Sequence, residues 1–293
     1  MNVVFGMVST RHSFALTKVA IDSFLRTTPL GPGDEFLLID NDRSIVEPLP
    51  AGVTLLQNTS PRSFAANMNV VLRRAMRQQA DAVLLNNDLV FTTGWYEPMA
   101  AETGALVSPA SNAEVHYTHG AFECRFTMDL SEYVGHEDAL EAVAEYNRRH
   151  PPMFVEAHAI PFFCVRIPRE VIETVGFLDE RFVTGAEDKD YCIRALQAGF
   201  AVRYAARSFV LHFQGQSTWR GPETPEETYL RGDAYARRFL EKWGQTLMSL
   251  FIANDVKALD ATPDLRNAWD AKRFKAVVDE LVRRQDGAGH SVT

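Results

Sequence analysis

The sequence predicts an α/β protein in which a mostly parallel sheet is flanked by helices and followed by a C-terminal helical extension. Short apolar runs typical of buried strands alternate with helical patterns through the first 85 residues. Neighbouring parallel strands need a long crossover, usually a helix, so this alternation favours a parallel sheet. From residue 225 to about 284 the apolar residues recur mainly at helical spacing. Ligands of such sheets bind beyond the carboxyl ends of the strands, so the residues that follow each strand are candidate site residues.

The first half of the chain predicts four strands and two helices. Apolar residues recur at helical spacing from Phe14 to Phe24, and a segment rich in Pro and Gly at 28–33 ends that helix. Ser60 or Ser63 is a candidate N-cap of the second helix. The predicted strands span 3–8, 35–39, 53–56 and 82–85, and the predicted helices span 13–26 and 63–76.

The second half has a less regular pattern. His150-Pro151-Pro152 ends one predicted helix and Pro168 begins another. Helices are predicted at 137–149, 169–175 and 188–198, and strands at 162–167, 201–204 and 209–213. We expect one α/β domain at 1–222 and a helical extension at 223–293, with a tail at 285–293 that frays.

Composition limits the possible partners and the cellular compartment. The 293 residues carry a formal net charge of −8, which opposes non-specific binding to nucleic acid or to an anionic membrane. Cys124, Cys164 and Cys192 are too few for a disulfide framework and lack metal-ligand spacing, so we expect buried reduced thiols. The N-terminus lacks the basic region of a secretory signal, and no apolar stretch is long enough to span a bilayer. These features predict a cytoplasmic protein without a transmembrane segment, able to visit the inner membrane surface as a peripheral protein.

Two acidic segments occupy positions suited to chemistry. Glu187 and Asp188 lie where a loop turns into an amphipathic helix, and a helix N-terminus stabilises ionised carboxylates. An ionised carboxylate that points out of a helix end meets the requirement for a general base. Upstream, a buried-strand pattern ends in the polar turn Asn86-Asn87-Asp88. The plain alternatives are helix capping for the first segment and an ordinary polar turn for the second.

These segments, in this order, resemble the inverting family 2 glycosyltransferases of the GT-A fold, which use a sugar nucleotide as donor. The matching stretches are 84–95, 177–200 and 209–218, and the resemblance covers about the first two-thirds of the chain. It implies a GT-A domain at 1–222, with a nucleotide-binding half at 1–108 and an acceptor and catalytic half at 109–222.

The resemblance also implies roles for individual residues. Asp188 matches the general base that removes the acceptor hydroxyl proton, and Glu187 would help bind the acceptor or the donor sugar. In the family's Asp-X-Asp pattern Asn86 replaces the first Asp, and an amide is a poor metal ligand, which leaves Asp88 as the strong ligand. His212 would join Asp88 in binding Mn²⁺ or Mg²⁺. The alternative for His212 is a strand-end histidine that is only hydrogen-bonded.

The remaining candidates are nucleotide and sugar contacts. Asp40 and Asn41 end the second predicted strand, where relatives contact the base, and Asn69 matches the last Asn of a family segment. Trp219 and Arg220 follow the histidine loop and would close over the donor or stack on a sugar. The nucleotide-binding set implied by the resemblance comprises Ser9, Thr10, Asp40, Asn41, Arg62, Asn69, Asn86 and Asn87.

The leading hypothesis is a metal-dependent inverting glycosyltransferase with a UDP-, GDP- or dTDP-sugar donor. A glycan, a lipid-linked molecule, a protein or a small molecule all stay open as acceptor. One alternative is a catalytically inactive sugar- or nucleotide-binding module on the same fold, favoured by Asn86. A nucleotidyltransferase would want a Gly-rich basic loop after the first strand, and an NAD enzyme lacks its Gly-X-Gly-X-X-Gly motif. Asp190 and Arg194 are assigned to a solvated i,i+4 pair.

Overall fold

A computed structural model describes residues 2–112, 126–149, 152–183, 185–213 and 223–288. Its strands are β1 (Val3–Ser9), β2 (Glu35–Asp40), β3 (Val53–Gln57), β4 (Asp81–Leu85), β5 (Leu89–Phe91), β6 (Ala105–Ser111), β7 (Phe154–Glu156), β8 (Cys164–Ile167) and β9 (Ala201–His212). Its helices are α1 (Phe14–Thr27), α2 (Phe64–Gln78), α3 (Tyr96–Ala100), α4 (Leu130–Tyr133), α5 (Glu137–Arg149), α6 (Arg169–Val175), α7 (Glu187–Gln197), α8 (Pro225–Phe251), α9 (Pro263–Asp270) and α10 (Phe274–Ala288).

All these strands belong to one sheet in the order β3-β2-β1-β4-β8-β6-β9-β5, with β7 also paired to β9. Alternate residues of the strands point to opposite faces, and each face has its own apolar core. On one face α2, α6, α7 and the C-terminal helices pack against the sheet, and on the other face α1 and α3 do. The predicted class, an α/β sheet covered by helices, is therefore confirmed.

The first four strands form the parallel half that the sequence predicts. β1 pairs in parallel with β2 and with β4, and β2 pairs in parallel with β3. Helix α2 crosses β1 closely at Gly6, where an added Cβ would lie only 2.1 Å from Cγ2 of Val71. A residue with any side chain at this position would push the helix off the sheet.

Beyond β4 the sheet is mixed rather than mostly parallel. β8 is antiparallel to both of its neighbours, β4 and β6, while β6 and β9 are parallel to each other. β5 and β7 both add to β9 in antiparallel orientation. Two reversals at β8 leave β1, β2, β4, β6 and β9 running in the same direction, so their carboxyl ends share one edge of the sheet.

The prediction of two short strands at 201–204 and 209–213 was wrong, because β9 is continuous. Its register against β6 shifts between Ala205 and Phe209, so Ala206, Arg207 and Ser208 form a bulge opposite Pro109 and Ala110. A bulge interrupts the alternation of apolar residues without ending the strand.

The C-terminal helices share the apolar core of the α/β sheet. Phe239, Trp243, Leu247 and Phe251 of α8 lie in the same buried cluster as Val202 of β9. Helix α8 contains a break at Gly244, whose φ of 73° falls in the left-handed region that glycine tolerates. Helix α10 continues to Ala288, four residues beyond the predicted end at 284.

Two sequence expectations concern cysteines and membrane spans. Cys164 and Cys192 are buried free thiols, as predicted, whereas Cys124 lies outside the described residues. Among the helices of the described ranges, none combines the length and apolarity that crossing a bilayer requires.

Candidate functional site

Polar side chains collect at the edge of the sheet where the codirectional strands end. Ser9 ends β1, Asp40 ends β2, the turn at 86–88 follows β4, and His212 ends β9. In α/β sheets this edge is where ligands bind.

Asp88 and His212 are in direct contact at this edge. Antiparallel pairing of β5 with β9 sets Leu89 opposite His212, and the amide of Phe213 donates a hydrogen bond to the carbonyl of Asp88 at 3.0 Å. As a result, Nε2 of His212 lies 3.1 Å from Oδ1 of Asp88, and both side chains are buried. The imidazole also stacks on Phe163, with ring centroids 5.1 Å apart.

This pair offers one oxygen and one nitrogen donor that suit a divalent cation. Mn²⁺ and Mg²⁺ accept carboxylate and imidazole ligands and often complete their coordination with phosphate oxygens and water. Within the described residues no group of three or more His, Cys, Asp or Glu side chains could hold a metal. Among the described residues, Asp88 and His212 would thus give a cation two ligands, and substrate oxygens or water could supply others.

The acidic pair begins helix α7 at the same edge. Helix α7 leads directly into β9 and packs against it, so its N-terminus points towards the end of the sheet where β9 finishes. Ala186 precedes the helix in the left-handed conformation, with φ of 67°. This turn places Oε2 of Glu187 2.7 Å from the amide of Gly185, which donates a hydrogen bond to it.

Glu187 and Asp188 differ in environment although they are adjacent. Burial, together with the negative charge of Asp188, raises the pKa of Glu187 to about 7. Asp188 keeps 18% of its side chain exposed. Its Oδ1 accepts a hydrogen bond from the amide of Lys189 at 2.7 Å, and its Oδ2 lies 3.4 Å from Nζ of the same lysine. The pair thus combines a buried carboxyl that titrates near neutral pH with a more accessible, ion-paired carboxylate.

The assignment of Asp190 and Arg194 to a solvated pair was wrong. The ion pair exists, with Nε of Arg194 2.9 Å from Oδ2 of Asp190, but the Asp190 side chain is fully buried. Lys242 and Trp243 of α8 cover its other oxygen. The i,i+4 spacing shows the pair within one helix and carries no information about a second helix that packs over it.

Three nucleotide candidates lie in a buried network at the start of α1. The hydroxyl of Ser9 is 2.7 Å from that of Thr17, and the hydroxyl of Thr10 is 3.0 Å from that of Ser13. Nδ2 of Asn87 donates to both Ser13 and Thr17, at 2.7 and 2.9 Å. These groups satisfy one another and fix α1 against the β1 and β4 ends.

Asp40 and Asn41 organise the loops that follow β2 and β3. Asp40 is fully buried and accepts hydrogen bonds from the amides of Ser44 and Ile45 and from the side chain of Gln57. Oδ1 of Asn41 accepts hydrogen bonds from three donors, the Arg62 amide at 2.9 Å and the side-chain amides of Asn58 and Asn67 at 2.8 and 3.0 Å.

The other candidates differ in how accessible they are. Asn69 is buried, and its amide bridges to Glu180 and to both backbone groups of Leu178. Arg62 is exposed, and its guanidinium makes no hydrogen bond or ion pair with the described residues. Asn86 is half-buried and donates its backbone N–H to the carbonyl of Phe163 at 2.7 Å. Trp219 and Arg220 lie outside the described residues.

The sequence reasoning missed several residues that shape this edge. Asn58 and Asn67 complete the amide network of Asn41, and Oδ1 of Asn112 accepts the backbone N–H of His212 at 2.8 Å. Phe163 stacks against the imidazole ring of His212. Asn58 lies two residues after the strand predicted at 53–56, and this position was a usable signal for it, whereas Phe163 resembles any core aromatic.

No protein-family model matches the sequence, and no curated protein matches it. Solved structures do resemble the fold. A crystal structure of GalNAc-T7 with UDP, GalNAc and Mn²⁺ matches 95% of this chain with a TM-score of 0.57 and 16% identity. A crystal structure of S. aureus TarS 1–349 matches 97% of it with a TM-score of 0.50 and 10% identity, and 92% of the TarS chain is covered.

This chain spans only 55% of the GalNAc-T7 chain. At sequence identities of 16% and 10%, these similarities establish the fold alone. The fold is that of the GT-A glycosyltransferases, as the sequence predicts.

Proposed function

We propose that this protein is a metal-dependent inverting glycosyltransferase that moves a sugar from a nucleotide-sugar donor to an acceptor hydroxyl. The observation that carries the proposal is that two acidic features are directed towards the same edge of the sheet. Asp88 lies in the turn after β4 and contacts His212 at the end of β9, and the Glu187–Asp188 pair begins the helix that packs on β9. The GT-A fold supports the proposal because ligands of open α/β sheets bind beyond the carboxyl ends of the strands.

On the donor side, the proposed ligands of Mn²⁺ or Mg²⁺ are Asp88 and His212. A divalent cation held there would neutralise the charge that develops on the departing diphosphate. The structure of GalNAc-T7, which contains UDP and Mn²⁺, supports this choice of cofactor. Burial of Asp88 and His212 strengthens their electrostatic interaction with a cation, because the local dielectric constant is lower than that of water.

On the acceptor side, Asp188 is proposed as the general base. It accepts the proton of the acceptor hydroxyl while that oxygen attacks the anomeric carbon and the bond from carbon to the diphosphate oxygen breaks. A single displacement of this kind inverts the anomeric centre. Glu187, with a pKa near 7, is partly protonated at neutral pH and in that form donates a hydrogen bond to a sugar hydroxyl.

In this proposal some of the nucleotide-binding candidates touch the donor directly, and the others hold the loops that surround it. The proposed direct contacts are Arg62, which is exposed just before α2, and Asn86, which is half-buried in the turn after β4. The side chains of the others are bonded within the protein, so we propose that they shape the loops around the donor: Ser9, Thr10, Asp40, Asn41, Asn69 and Asn87. Trp219 and Arg220 stay proposed donor or acceptor contacts from the sequence.

A donor screen tests the proposal. Purified protein is offered UDP-, GDP-, dTDP- and CMP-sugars with Mn²⁺ and with EDTA, and binding and slow donor hydrolysis are measured. Metal-dependent hydrolysis of one donor supports the enzyme and identifies its nucleotide. Binding without hydrolysis or transfer to any acceptor favours the inactive binding module. Folded protein that binds none of the four classes contradicts both.

A further inference from the structure

Helix α8 contacts the chain on both sides of the acidic pair. One contact is with Asp190, two residues after Asp188, and the other is with Gly185, two residues before Glu187. We propose that α8 fixes the position of the Glu187–Asp188 pair and that Lys242 and Trp243 are positioning residues for the reaction. This inference rests on the proposed function for its catalytic meaning, while its structural content can be tested without turnover.

The contact at Asp190 is a complete set of donors around a buried carboxylate. Oδ1 accepts a hydrogen bond from Nε1 of Trp243 at 2.9 Å and lies 2.6 Å from Nζ of Lys242. Oδ2 accepts from Nε of Arg194 at 2.9 Å. A fully buried carboxylate requires such partners, because an unpaired charge in the interior is strongly unfavourable. The first turn of α7 is therefore held against α8 by a charge that cannot move into solvent without breaking three contacts.

Lys242 also connects α8 to the loop that precedes the acidic pair. Its Nζ also lies 2.8 Å from Oδ2 of Asp179. Arg181 and Lys242 together hold the pKa of Asp179 well below its usual range, so this carboxylate stays ionised and paired. One lysine of α8 thus joins the loop at 179 to the helix at 190.

The contact at Gly185 controls Glu187 directly. Gly185 has a φ of 114°, and an added Cβ would come within 2.8 Å of the Tyr235 ring of α8. Its amide is the donor that holds Oε2 of Glu187 at 2.7 Å. Because Tyr235 closes against the glycine, the position of this amide depends on α8.

Lys242, Trp243 and Tyr235 act through Asp190 and Gly185, so their loss should disturb the geometry of the pair more than donor binding. The proposed donor ligands, Asp88 and His212, contact each other and belong to the turn after β4 and to the end of β9, not to α7 or α8. We therefore expect kcat to fall in such variants while the donor KM stays close to that of the wild type.

Hydrogen exchange of the full-length protein tests the structural step. Trp243→Phe keeps an aromatic ring in place and removes one donor from Asp190. We expect amides at 185–191 to exchange about tenfold faster while amides of β1 keep their rates. Trp269→Phe is the matched control, because Trp269 is equally buried in the C-terminal segment and its indole has no hydrogen-bond partner among the described residues. Unchanged exchange at 185–191, or an equal increase throughout the sheet, overturns the proposal.

Turnover tests the catalytic step with the donor that the screen identifies. Lys242→Met should lower kcat at least tenfold with little change in donor KM, and Lys242→Arg should recover most of it because the positive charge is kept. Equal kcat in wild type and Lys242→Met overturns the positioning role. A wild type without turnover counts against the proposed function, and the exchange experiment then decides the present inference by itself.

Discussion

Adjacent carboxylates at the start of α7 are placed in unequal surroundings. Glu187 is buried and bonded to the Gly185 amide, whereas Asp188 is partly exposed and close to Lys189. Environments that separate the properties of two neighbouring acids often divide their roles in catalysis. In the proposed reaction the more accessible carboxylate would remove the proton, and the buried one would bond to a sugar hydroxyl.

Asp188→Asn should remove the proposed general base. We expect kcat to fall by a factor of about 10²–10⁴, the usual contribution of a positioned base, with donor KM nearly unchanged. Initial rates with the donor from the screen measure the effect. Asp264→Asn, the same change at an exposed position in the first turn of α9, should leave kcat intact. Wild-type turnover in Asp188→Asn would show that another group takes the proton.

Glu187→Gln should stabilise the protein at alkaline pH. The folded pKa of Glu187, about 7, exceeds the ordinary value of 4.5, so the folded state holds the proton more tightly than the unfolded state does. The favourable contribution of the neutral form is complete below pH 4.5 and is lost as pH rises through 7. Glutamine stays neutral, so the gain should be about 1–3 kcal/mol at pH 8 and near zero at pH 4.5.

Urea unfolding of Glu187→Gln at the two pH values measures this difference. Glu226→Gln, at an exposed position in the first turn of α8, serves as the control and should show no such pH dependence. An equal change in the free energy of unfolding at both pH values would mean that burial does not perturb Glu187 in the folded protein.

At the scale of elements, the sequence correctly predicted the strands and helices that are marked by a pattern of neighbouring residues. The parallel strands β1 to β4 and the helices α1, α2, α5 and α6 follow apolar spacing, Pro and Gly positions and helix caps, and they begin and end close to the predicted residues. Strands β5, β6 and β7 were missed, and β9 was divided in two. β6 contains Pro109, and β9 contains a bulge, so both lack the regular alternation that marks a strand.

The candidate site was predictable to the extent that its residues follow strands or begin a helix. Asp88, Glu187 and Asp188 were named from such positions, and His212 was named from the resemblance to family 2 glycosyltransferases. The hydrogen-bond and ion-pair partners of these polar side chains could not be predicted from the sequence. The burial of Asp190 under α8 depends on residues 52 and 53 positions later in the chain. No local pattern records such a contact.

The loop before β8 joins the C-terminal helices through His158. Its ring packs against Phe251, Trp269 and Phe274, with centroids 5.2, 4.9 and 5.8 Å away. Burial and the charge of Lys189 lower the pKa of His158 to about 4, despite a hydrogen bond with Asn254. The C-terminal helices therefore pack against a histidine side chain that is neutral in the folded protein at pH 7.

Acid should weaken this docking in a defined range of pH. Above pH 6.5 His158 is neutral in both states, and as pH falls from 6.5 towards 4 the unfolded state takes up the proton first, so stability is lost there. His158→Gln should remove about 1–3 kcal/mol of this pH dependence. Chemical unfolding at pH 7.5 and 4.5 measures it, and His12→Gln, at an exposed position, should retain the wild-type dependence. A variant that loses as much stability as the wild type between these pH values would exclude His158 as the source.

At the scale of the whole molecule, the sheet brings together residues that are distant in sequence. Asp88 and His212 are 124 positions apart and meet because β5 returns along β9. The reversals at β8 restore the direction of β6 and β9, so both halves of the chain contribute to one edge. A donor that binds at this edge would contact both halves, and its binding should stabilise the entire α/β unit.

Asp88→Asn should abolish stabilisation by a nucleoside diphosphate together with Mn²⁺. Ligand at ten times its Kd adds about 1.4 kcal/mol to the folded state, which corresponds to a Tm increase of about 2–5 °C in a chain of this size. Tm is measured with UDP or GDP, in Mn²⁺ and in EDTA. The wild type should shift only when metal and nucleotide are both present, because the proposed ligands Asp88 and His212 would give the cation two donors and the phosphate oxygens would add others. Asp22→Asn, far along α1 and exposed, should shift like the wild type. If Asp88→Asn also shifts fully, the cation is held elsewhere, and the role proposed for the strand-end pair is wrong.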